Sequence, residues 1–206
     1  MEEHVASHVV ICIPSGDMVH TDFMLSVIHV MQKGRAAGFR ISLVNAKASI
    51  VSLSRNLAVD AGRETRAEWL LFLDSDMVFP SDTIARLMAH NQPIVGATYP
   101  RKLRPLAFIG NRLDGAPLSL EDTGLIAASR LPAGCLLIKA EVFERMKKPF
   151  FRCGYDEETG EVLGEDFWFS DRVHALGYSL WCDMDVSRQV EHIGPCRYQL
   201  NDEFPG

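Results

Sequence analysis

The chain has 206 residues, of which 47% are hydrophobic and 23% are charged, so it can form one globular domain with a substantial core. A net charge of −6 without a long basic run argues against electrostatic binding of nucleic acid. The sequence shows no apolar run long enough to span a membrane and no basic N-terminal signal. Its five scattered cysteines favour free thiols in a reducing cytoplasm over disulfides or a zinc site, so we expect a cytoplasmic protein.

The first part of the chain alternates strand and helix patterns. Apolar runs over residues 9–13 and 41–44 predict two buried strands, and helical spacing of apolar residues over 23–31 predicts a helix between them. This order predicts a parallel crossover unit. Pro14 and Ser15, which follow the first strand, are therefore expected at the carboxyl edge of the sheet, either lining a pocket or forming a plain connection.

The most informative segment is an apolar run over residues 70–73 that leads directly into Asp74, Ser75 and Asp76. The run predicts a strand buried on both faces, with two carboxylates pointing to the same side at its carboxyl end. Ligands bind at that end in open α/β sheets, and carboxylates suit hard cations such as Mg²⁺ or Mn²⁺. The alternative is that Asp74 starts a turn and Asp76 caps the next element.

Ser54, Arg55 and Asn56 are predicted to open the helix that precedes this strand and ends at Gly62. The helix macrodipole disfavours a cation in a first turn, so Arg55 requires a negative partner. A diphosphate is one candidate, and a surface acid is the other. Further along, Gly134 precedes a predicted buried strand and would allow a ligand to approach the backbone closely.

Two later segments carry acidic and histidine candidates. Glu165 and Asp166 open a predicted helix, and Asp166 shares the inward face of Phe169, so it needs a partner or a task. The polar stretch 150–164 before it predicts a mobile loop over a substrate. Alternating residues from 186 onward predict a strand that carries His192, either as a core residue or as a metal ligand near Asp76.

In this order the segments resemble the GT-A-fold glycosyltransferases, particularly small bacterial and viral members like those of family 2. The matching residues are Ile13, Pro14, Ser54, Arg55, Asn56, Asp74, Ser75, Asp76, Ala133, Gly134, Gly164, Glu165, Asp166 and residues 190–194. The resemblance implies an α/β, Rossmann-like GT-A fold: a mostly parallel central sheet flanked by helices, with a small antiparallel acceptor-side portion. It implies one domain over 1–206, with a nucleotide-binding half at about 8–100 and an acceptor-side half at about 101–200.

The resemblance also implies a metal-dependent glycosyltransferase with a nucleotide-diphosphate sugar as donor. Asp76 and His192 would hold Mn²⁺ or Mg²⁺ against the diphosphate, and Asp74 would contact the ribose, or the metal through water. Arg55 would lie near the diphosphate, with Asn56 as a weaker candidate. Four further residues would complete the donor site: Pro14, Ser15, Ser75 and Gly134.

On the acceptor side, the resemblance implies that Asp166 takes the proton from the acceptor hydroxyl, so that the sugar is transferred with inversion. Glu165 would orient the acceptor or serve as the alternative base. The acceptor itself, whether glycan, protein or small molecule, is not specified by the sequence. Residues 99–131 are compact for this fold and the chain stops soon after His192, so we expect an open acceptor side or one completed by a partner or a second copy.

Three alternatives stay open at this point. A haloacid-dehalogenase-type phosphatase would use Asp74 as nucleophile and Asp76 as acid/base, but in that family the motif normally lies on the first core strand. A nucleotidyltransferase usually carries a glycine-rich, basic loop after its first strand, whereas residues 14–17 here are acidic with a single glycine. The third alternative is a non-catalytic nucleotide-sugar-binding module.

Overall fold

The computed structural model describes residues 6–103, 106–156 and 159–194, and the backbone of residues 197–199. The strands are β1 (His8–Ser15), β2 (Arg40–Lys47), β3 (Trp69–Leu73), β4 (Met77–Val78), β5 (Ile94–Gly96), β6 (Asn111–Arg112), β7 (Leu125–Arg130), β8 (Cys135–Lys139), β9 (Gly154–Tyr155), β10 (Val162–Leu163), β11 (Leu180–Asp183), β12 (Glu191–Ile193) and β13 (Arg197–Gln199). The helices are α1 (Thr21–Ala36), α2 (Val51–Glu64), α3 (Thr83–Ala89), α4 (Ala140–Arg145), α5 (Glu165–Ala175) and α6 (Met184–Ser187).

An eight-stranded sheet organises the described residues, in the order β2-β1-β3-β8-β5-β11-β7-β6. Strands β2, β1, β3, β5, β11 and β6 run in one direction, whereas β8 and β7 run in the other. This confirms the predicted α/β fold with a mostly parallel central sheet and an antiparallel portion at one side. The insertion of antiparallel β8 between β3 and β5 was not predicted.

The core lies on both faces of this sheet. Every residue of β1 and β3 is buried, as expected for strands covered on both sides. On one face, Phe72 of β3 belongs to a cluster that includes residues of α2, α4 and α5. On the other face, Leu71 packs with residues of α1 and α3. The alternation of side chains along β3 therefore fixes which helices lie on which side.

Two local predictions were wrong. Helix α2 begins at Val51 rather than Ser54, so Arg55 lies in its second turn. The alternation after residue 186 does not form a strand, because Met184–Ser187 is a short helix and only Glu191–Ile193 is extended. Within the stretch 150–164, for which a mobile loop is predicted, β9 and β10 pair as an antiparallel hairpin.

Several sequence features have structural roles. Asp183, the first acid of a second D-x-D pattern, caps α6 by accepting hydrogen bonds from the backbone N–H groups of Asp185 and Val186. The four described cysteines are free thiols, as the sequence predicted. Within the described part of the chain, no helix has both the length and the apolar composition needed to cross a bilayer.

A second, small sheet positions one of the candidate ligands. Strand β4 directly follows the acidic segment after β3, and β12 pairs with it antiparallel. In this register His192 lies opposite Met77, and the Ile193 N–H donates to the carbonyl of Asp76 at 2.7 Å. The late part of the chain is thereby brought back to the carboxyl end of β3.

Candidate active site

A cleft of about 320 Å³ lies at the carboxyl edge of β1 and β3, beside the start of α2. Its lining residues are Pro14, Ser15, Gly16, Ala48, Ser49, Val51, Ser54, Asp74, Ser75 and Asp76. It is therefore the place where the predicted donor-site residues Pro14, Ser15 and Ser75 come together with both acids. A larger open depression of about 870 Å³ lies between α2 and α4, and none of the candidate residues lines it.

Arg55 connects the two acidic segments of the site. Its Nη2 lies 2.9 Å from Oδ1 and 3.0 Å from Oδ2 of Asp74, and its Nε donates to Glu165 Oε1 at 3.1 Å. Its Nη1 donates to the carbonyl of Ala133 at 3.1 Å. The side chain is only 3% exposed. Two acids of the chain itself therefore supply the negative partner that Arg55 requires.

The charges in this group hold one another in place. Burial works against the cation, but the charges of Asp74 and Glu165 outweigh it and raise the pKa of Arg55. Burial raises the pKa of Asp74, and the adjacent guanidinium of Arg55 opposes that rise. Because both oxygens of Asp74 face Arg55, this carboxylate is oriented by the protein before any ligand binds.

Asp76 faces a histidine whose geometry suits a metal ligand. His192 Nε2 lies 3.6 Å from Asp76 Oδ2, and its Nδ1 lies 2.9 Å from the carbonyl oxygen of Pro100. A carbonyl only accepts, so Nδ1 carries a hydrogen, and Nε2 is the ring nitrogen that faces Asp76. The Tyr99 ring packs edge-on against His192 at 5.1 Å between centroids and fixes the ring plane.

Sequence reasoning missed a cation at this position. Lys102 Nζ donates a hydrogen bond to Asp76 Oδ2. Partial burial opposes ionisation of Asp76, but His192 and Lys102 outweigh it and lower the pKa of this carboxyl to about 2. Asp76 is thus a carboxylate at any working pH. Lys102 follows β5, which runs in the same direction as β3, so a basic residue after this strand was the available signal.

The predicted set of three metal ligands is not assembled. Within the described ranges, no group of three or more His, Cys, Asp or Glu side chains is arranged to hold a metal ion. Asp74 is bound by Arg55, which leaves an Asp76 oxygen and His192 Nε2. A carboxylate and an imidazole fit a divalent cation that takes its remaining ligands from substrate phosphates and water. The residues present therefore fit an open, two-ligand site.

The two adjacent acids of α5 differ in environment. Glu165 is buried, pairs with Arg55, and accepts a contact from Cys153 Sγ at 3.7 Å. Asp166 is partly exposed, and its Oδ1 accepts from the Phe167 N–H at 2.8 Å. Burial and the charge of Glu165 raise the pKa of Asp166 to about 6. Asp166 therefore has the properties of a general base near neutral pH, and Glu165 those of a positioning residue.

Two residues predicted for the donor site, Gly134 and Asn56, make hydrogen bonds within the protein. The Gly134 N–H donates to Tyr99 Oη at 2.9 Å, and a Cβ here would lie 2.7 Å from Met77 Sδ. Close packing, rather than ligand approach, accounts for this glycine. The Asn56 side chain accepts from the Phe150 N–H at 2.7 Å and donates to the Phe151 carbonyl at 2.7 Å. Asn56 therefore anchors the segment after α4.

Comparisons with known proteins establish the fold. No family model and no curated protein matches the sequence. The structure of A197 from STIV has a TM-score of 0.64 and 18% identity, covering 97% of this chain and 97% of that chain. A Drosophila β1,4-galactosyltransferase 7, solved with manganese, UDP-Gal and xylobiose, has a TM-score of 0.55 and 11% identity, covering 96% of this chain and 72% of that one. GalNAc-T7, solved with UDP, GalNAc and Mn²⁺, has a TM-score of 0.50 and 13% identity, covering 97% of this chain and 45% of that one. The chain thus has the GT-A-like fold of glycosyltransferases, as its sequence predicted.

Proposed function

We propose that this protein is a metal-dependent glycosyltransferase that moves a sugar from a nucleotide-diphosphate sugar to an acceptor hydroxyl, with inversion at the anomeric carbon. The observation that carries the proposal is the Arg55 bridge. By binding Asp74 and Glu165 together, Arg55 links the donor cleft at the end of β3 to the start of α5. The base candidate Asp166 is then next to the acids that face the donor.

The charge of the site supports an anionic donor with a divalent cation. Four carboxylates (Asp74, Asp76, Glu165 and Asp166) outnumber the cations Arg55 and Lys102 at this edge of the sheet. Such a surface repels a diphosphate unless more positive charge arrives with it. A divalent cation held by Asp76 and His192 would neutralise the charge that develops on the departing nucleoside diphosphate. The two glycosyltransferases described above that were solved with manganese and a uridine nucleotide support this choice.

The acceptor side depends on Asp166. In an inverting displacement, the acceptor oxygen attacks the anomeric carbon while a base removes the proton from that oxygen. Asp166 has a pKa raised to about 6, so it is largely ionised at neutral pH and still basic enough to accept this proton. Arg55 fixes Asp74 by a hydrogen bond to Oδ2, and Asp74 Oδ1, which accepts no hydrogen bond from the described residues, is the oxygen that would hold the donor's ribose or a metal-bound water. Both roles use side chains that the protein has already oriented.

The first test is donor binding. We expect the melting temperature to rise with one of UDP, GDP, CDP or dTDP, and to rise more with Mn²⁺ present. A hundredfold excess over Kd adds roughly 2.7 kcal/mol of apparent stability. The nucleotide that binds would identify the base of the donor. If all four fail with and without Mn²⁺, the donor assignment is wrong.

The second test separates binding from transfer. Asp166→Asn keeps the size of the side chain and removes the basic oxygen, so we expect the metal-dependent nucleotide shift to persist while transfer is lost. The matched control is Asp171→Asn, an acid on the same helix that pairs with Arg130. Transfer by Asp166→Asn at the control rate would reject Asp166 as the base.

The phosphatase alternative has less support, because its nucleophile would be Asp74. Both oxygens of that carboxylate lie within 3.0 Å of Arg55 Nη2, which competes with an attack on phosphorus. Hydrolysis of a generic aryl phosphate, abolished by Asp74→Asn, would nevertheless establish the phosphatase activity. A lack of both transfer and hydrolysis, with nucleotide binding retained, would establish a non-catalytic module.

A further inference from the structure

We propose that Lys102 is a built-in counter-ion that Asp76 exchanges for a divalent cation, and that the released ammonium then contacts the diphosphate of the donor. The inference rests on the proposed function for its second step only. Its first step concerns Asp76, Lys102 and the metal alone, and is tested without any nucleotide.

The exchange follows from the position of Lys102. Its Nζ bonds to Oδ2 of Asp76, and this is also the oxygen that lies 3.6 Å from His192 Nε2. The ammonium therefore takes up the ligand oxygen that a cation between Asp76 and His192 requires. Since one oxygen cannot serve a lysine and a metal equally well, lysine and metal compete for it.

The ion pair between Lys102 and Asp76 is exposed enough to dissociate readily. The Lys102 and Asp76 side chains are 32% and 37% exposed, so water can replace either partner. By contrast, Arg55 is 3% exposed and pairs with two acids at once. Lysine also carries its charge on a flexible four-carbon stem that can reach another anion nearby. Of these two cations, only Lys102 is held loosely enough to move.

The segment that carries Lys102 also carries the support of the metal ligand. Pro100 accepts the hydrogen bond from His192 Nδ1, and Tyr99 packs against the His192 ring. The backbone of this segment is tied down by bonds from Arg101 N–H to Ala107 O at 2.9 Å and from Ile109 N–H to Tyr99 O at 3.2 Å. The backbone can thus stay in place while the Lys102 side chain changes partner.

The diphosphate is the natural new partner for the ammonium. The cleft that ends at Asp76 has no lysine or arginine among its described lining residues. A phosphate oxygen bound there would lie next to the carboxylate that Lys102 has just left. Lys102 would then contribute positive charge to the departing diphosphate in addition to the charge of the metal.

The exchange is tested with Mn²⁺ alone, by following the free-ion electron paramagnetic resonance signal during titration. We expect Lys102→Met to bind Mn²⁺ about two- to fivefold more tightly than the parent protein, the range set by the strength of an exposed ion pair. The matched control Lys33→Met, on an exposed part of α1, should bind like the parent. Asp76→Ala should lose the binding.

The second step is tested with the nucleoside diphosphate that binds the parent protein best, at saturating Mn²⁺. Here the same substitution acts in the opposite direction. We expect Lys102→Met to bind the diphosphate about tenfold more weakly, because a charge-assisted hydrogen bond is lost, and Lys102→Arg to retain most of the affinity.

The outcomes separate the claims. Mn²⁺ affinity of Lys102→Met equal to or below that of the parent, including no binding by either, overturns the exchange. Unchanged diphosphate affinity overturns the transfer of Lys102 to the ligand. If no protein binds any nucleoside diphosphate while Lys102→Met binds Mn²⁺ more tightly, the exchange stands and the proposed donor is wrong.

Discussion

Replacing Arg55 by methionine tests the bridge on which the site depends. The guanidinium carbon of Arg55 lies 5.9 Å from the ring centroids of both Phe72 and Phe151. Methionine retains an unbranched, apolar stem beside these rings and removes the charge and its donors. The carboxylates of Asp74 and Glu165 then have no cation. We expect a large loss of stability, because the charges left behind are buried.

The magnitude follows from the burial of the pair. Removing one partner of a buried ion pair costs about 3–5 kcal/mol, since the other charge stays in a poorly solvated place. The same loss is a substantial part of the roughly 5–15 kcal/mol by which a typical domain is stable. Adding Glu165→Gln to Arg55→Met removes one of the stranded charges. The double variant should therefore be more stable than Arg55→Met alone.

The loss should also depend on pH. Without Arg55, burial raises the folded-state pKa of Asp74 further above the unfolded value of about 3.9. The folded variant then binds a proton more tightly than the unfolded chain, so its stability falls as the pH rises through the window between these two pKa values. The deficit relative to the parent should be smaller at pH 5 than at pH 8.

The assay is urea unfolding at both pH values, with Arg63→Met as the matched control. Arg63 lies in the last turn of the same helix and is exposed, so its removal should cost less than about 1 kcal/mol. The reasoning is refuted if Arg55→Met is no less stable than Arg63→Met, or if the double variant is the least stable of the three.

Three further predictions concern the metal ligand, the base and the packing around the site. Asp76→Ala should abolish the Mn²⁺-dependent thermal stabilisation by nucleoside diphosphate. It should change the free energy of unfolding by less than about 1 kcal/mol, because the carboxylate is 37% exposed. A thermal shift that persists with nucleotide and Mn²⁺ would contradict the metal assignment. The transfer rate should rise with pH to a plateau above about pH 6, where Asp166 is ionised. Glu165→Gln should move this rise to lower pH, because the charge of Glu165 helps to raise the Asp166 pKa. A transfer rate that is constant from pH 5 to 7 would exclude Asp166 as the base. Gly134→Ala should lower the free energy of unfolding in urea by about 1–3 kcal/mol, because the added methyl group meets Tyr99 Oη and Met77 Sδ. Adding Tyr99→Phe should restore part of this stability. Unchanged stability of Gly134→Ala would show that the site can relax.

The parts of the fold that the sequence predicted are those with a strong local pattern. The apolar run at 70–73 and the acids after it identified β3 and the edge where ligands would bind. Gly164 and the acids after it identified the start of α5. Both patterns combine burial with a polar break, which specifies an element and one of its ends without knowledge of its neighbours.

The contacts that assemble the site could not be predicted in the same way. The partners of Arg55 lie 19, 78 and 110 positions away in the sequence. One of the three, the carbonyl of Ala133, depends on β8 entering the sheet antiparallel beside β3, where Leu73 pairs with Cys135. Periodicity reports which face of an element is buried, but it does not report which strand lies beside it. The same limit concealed the contact between Lys102 and Asp76.

The ion pair with Arg55 gives the two adjacent acids of α5 different environments. Sequence alone left Glu165 and Asp166 as competing candidates for the base. The structure buries Glu165 against Arg55, so its charge is compensated and its oxygens are engaged. Asp166, one residue further along, lies beside that charge in a poorly solvated position, and burial together with the charge of Glu165 raises its pKa to about 6. Under the proposed function, the residue next to the Arg55–Glu165 ion pair would thus serve as a base suited to neutral pH.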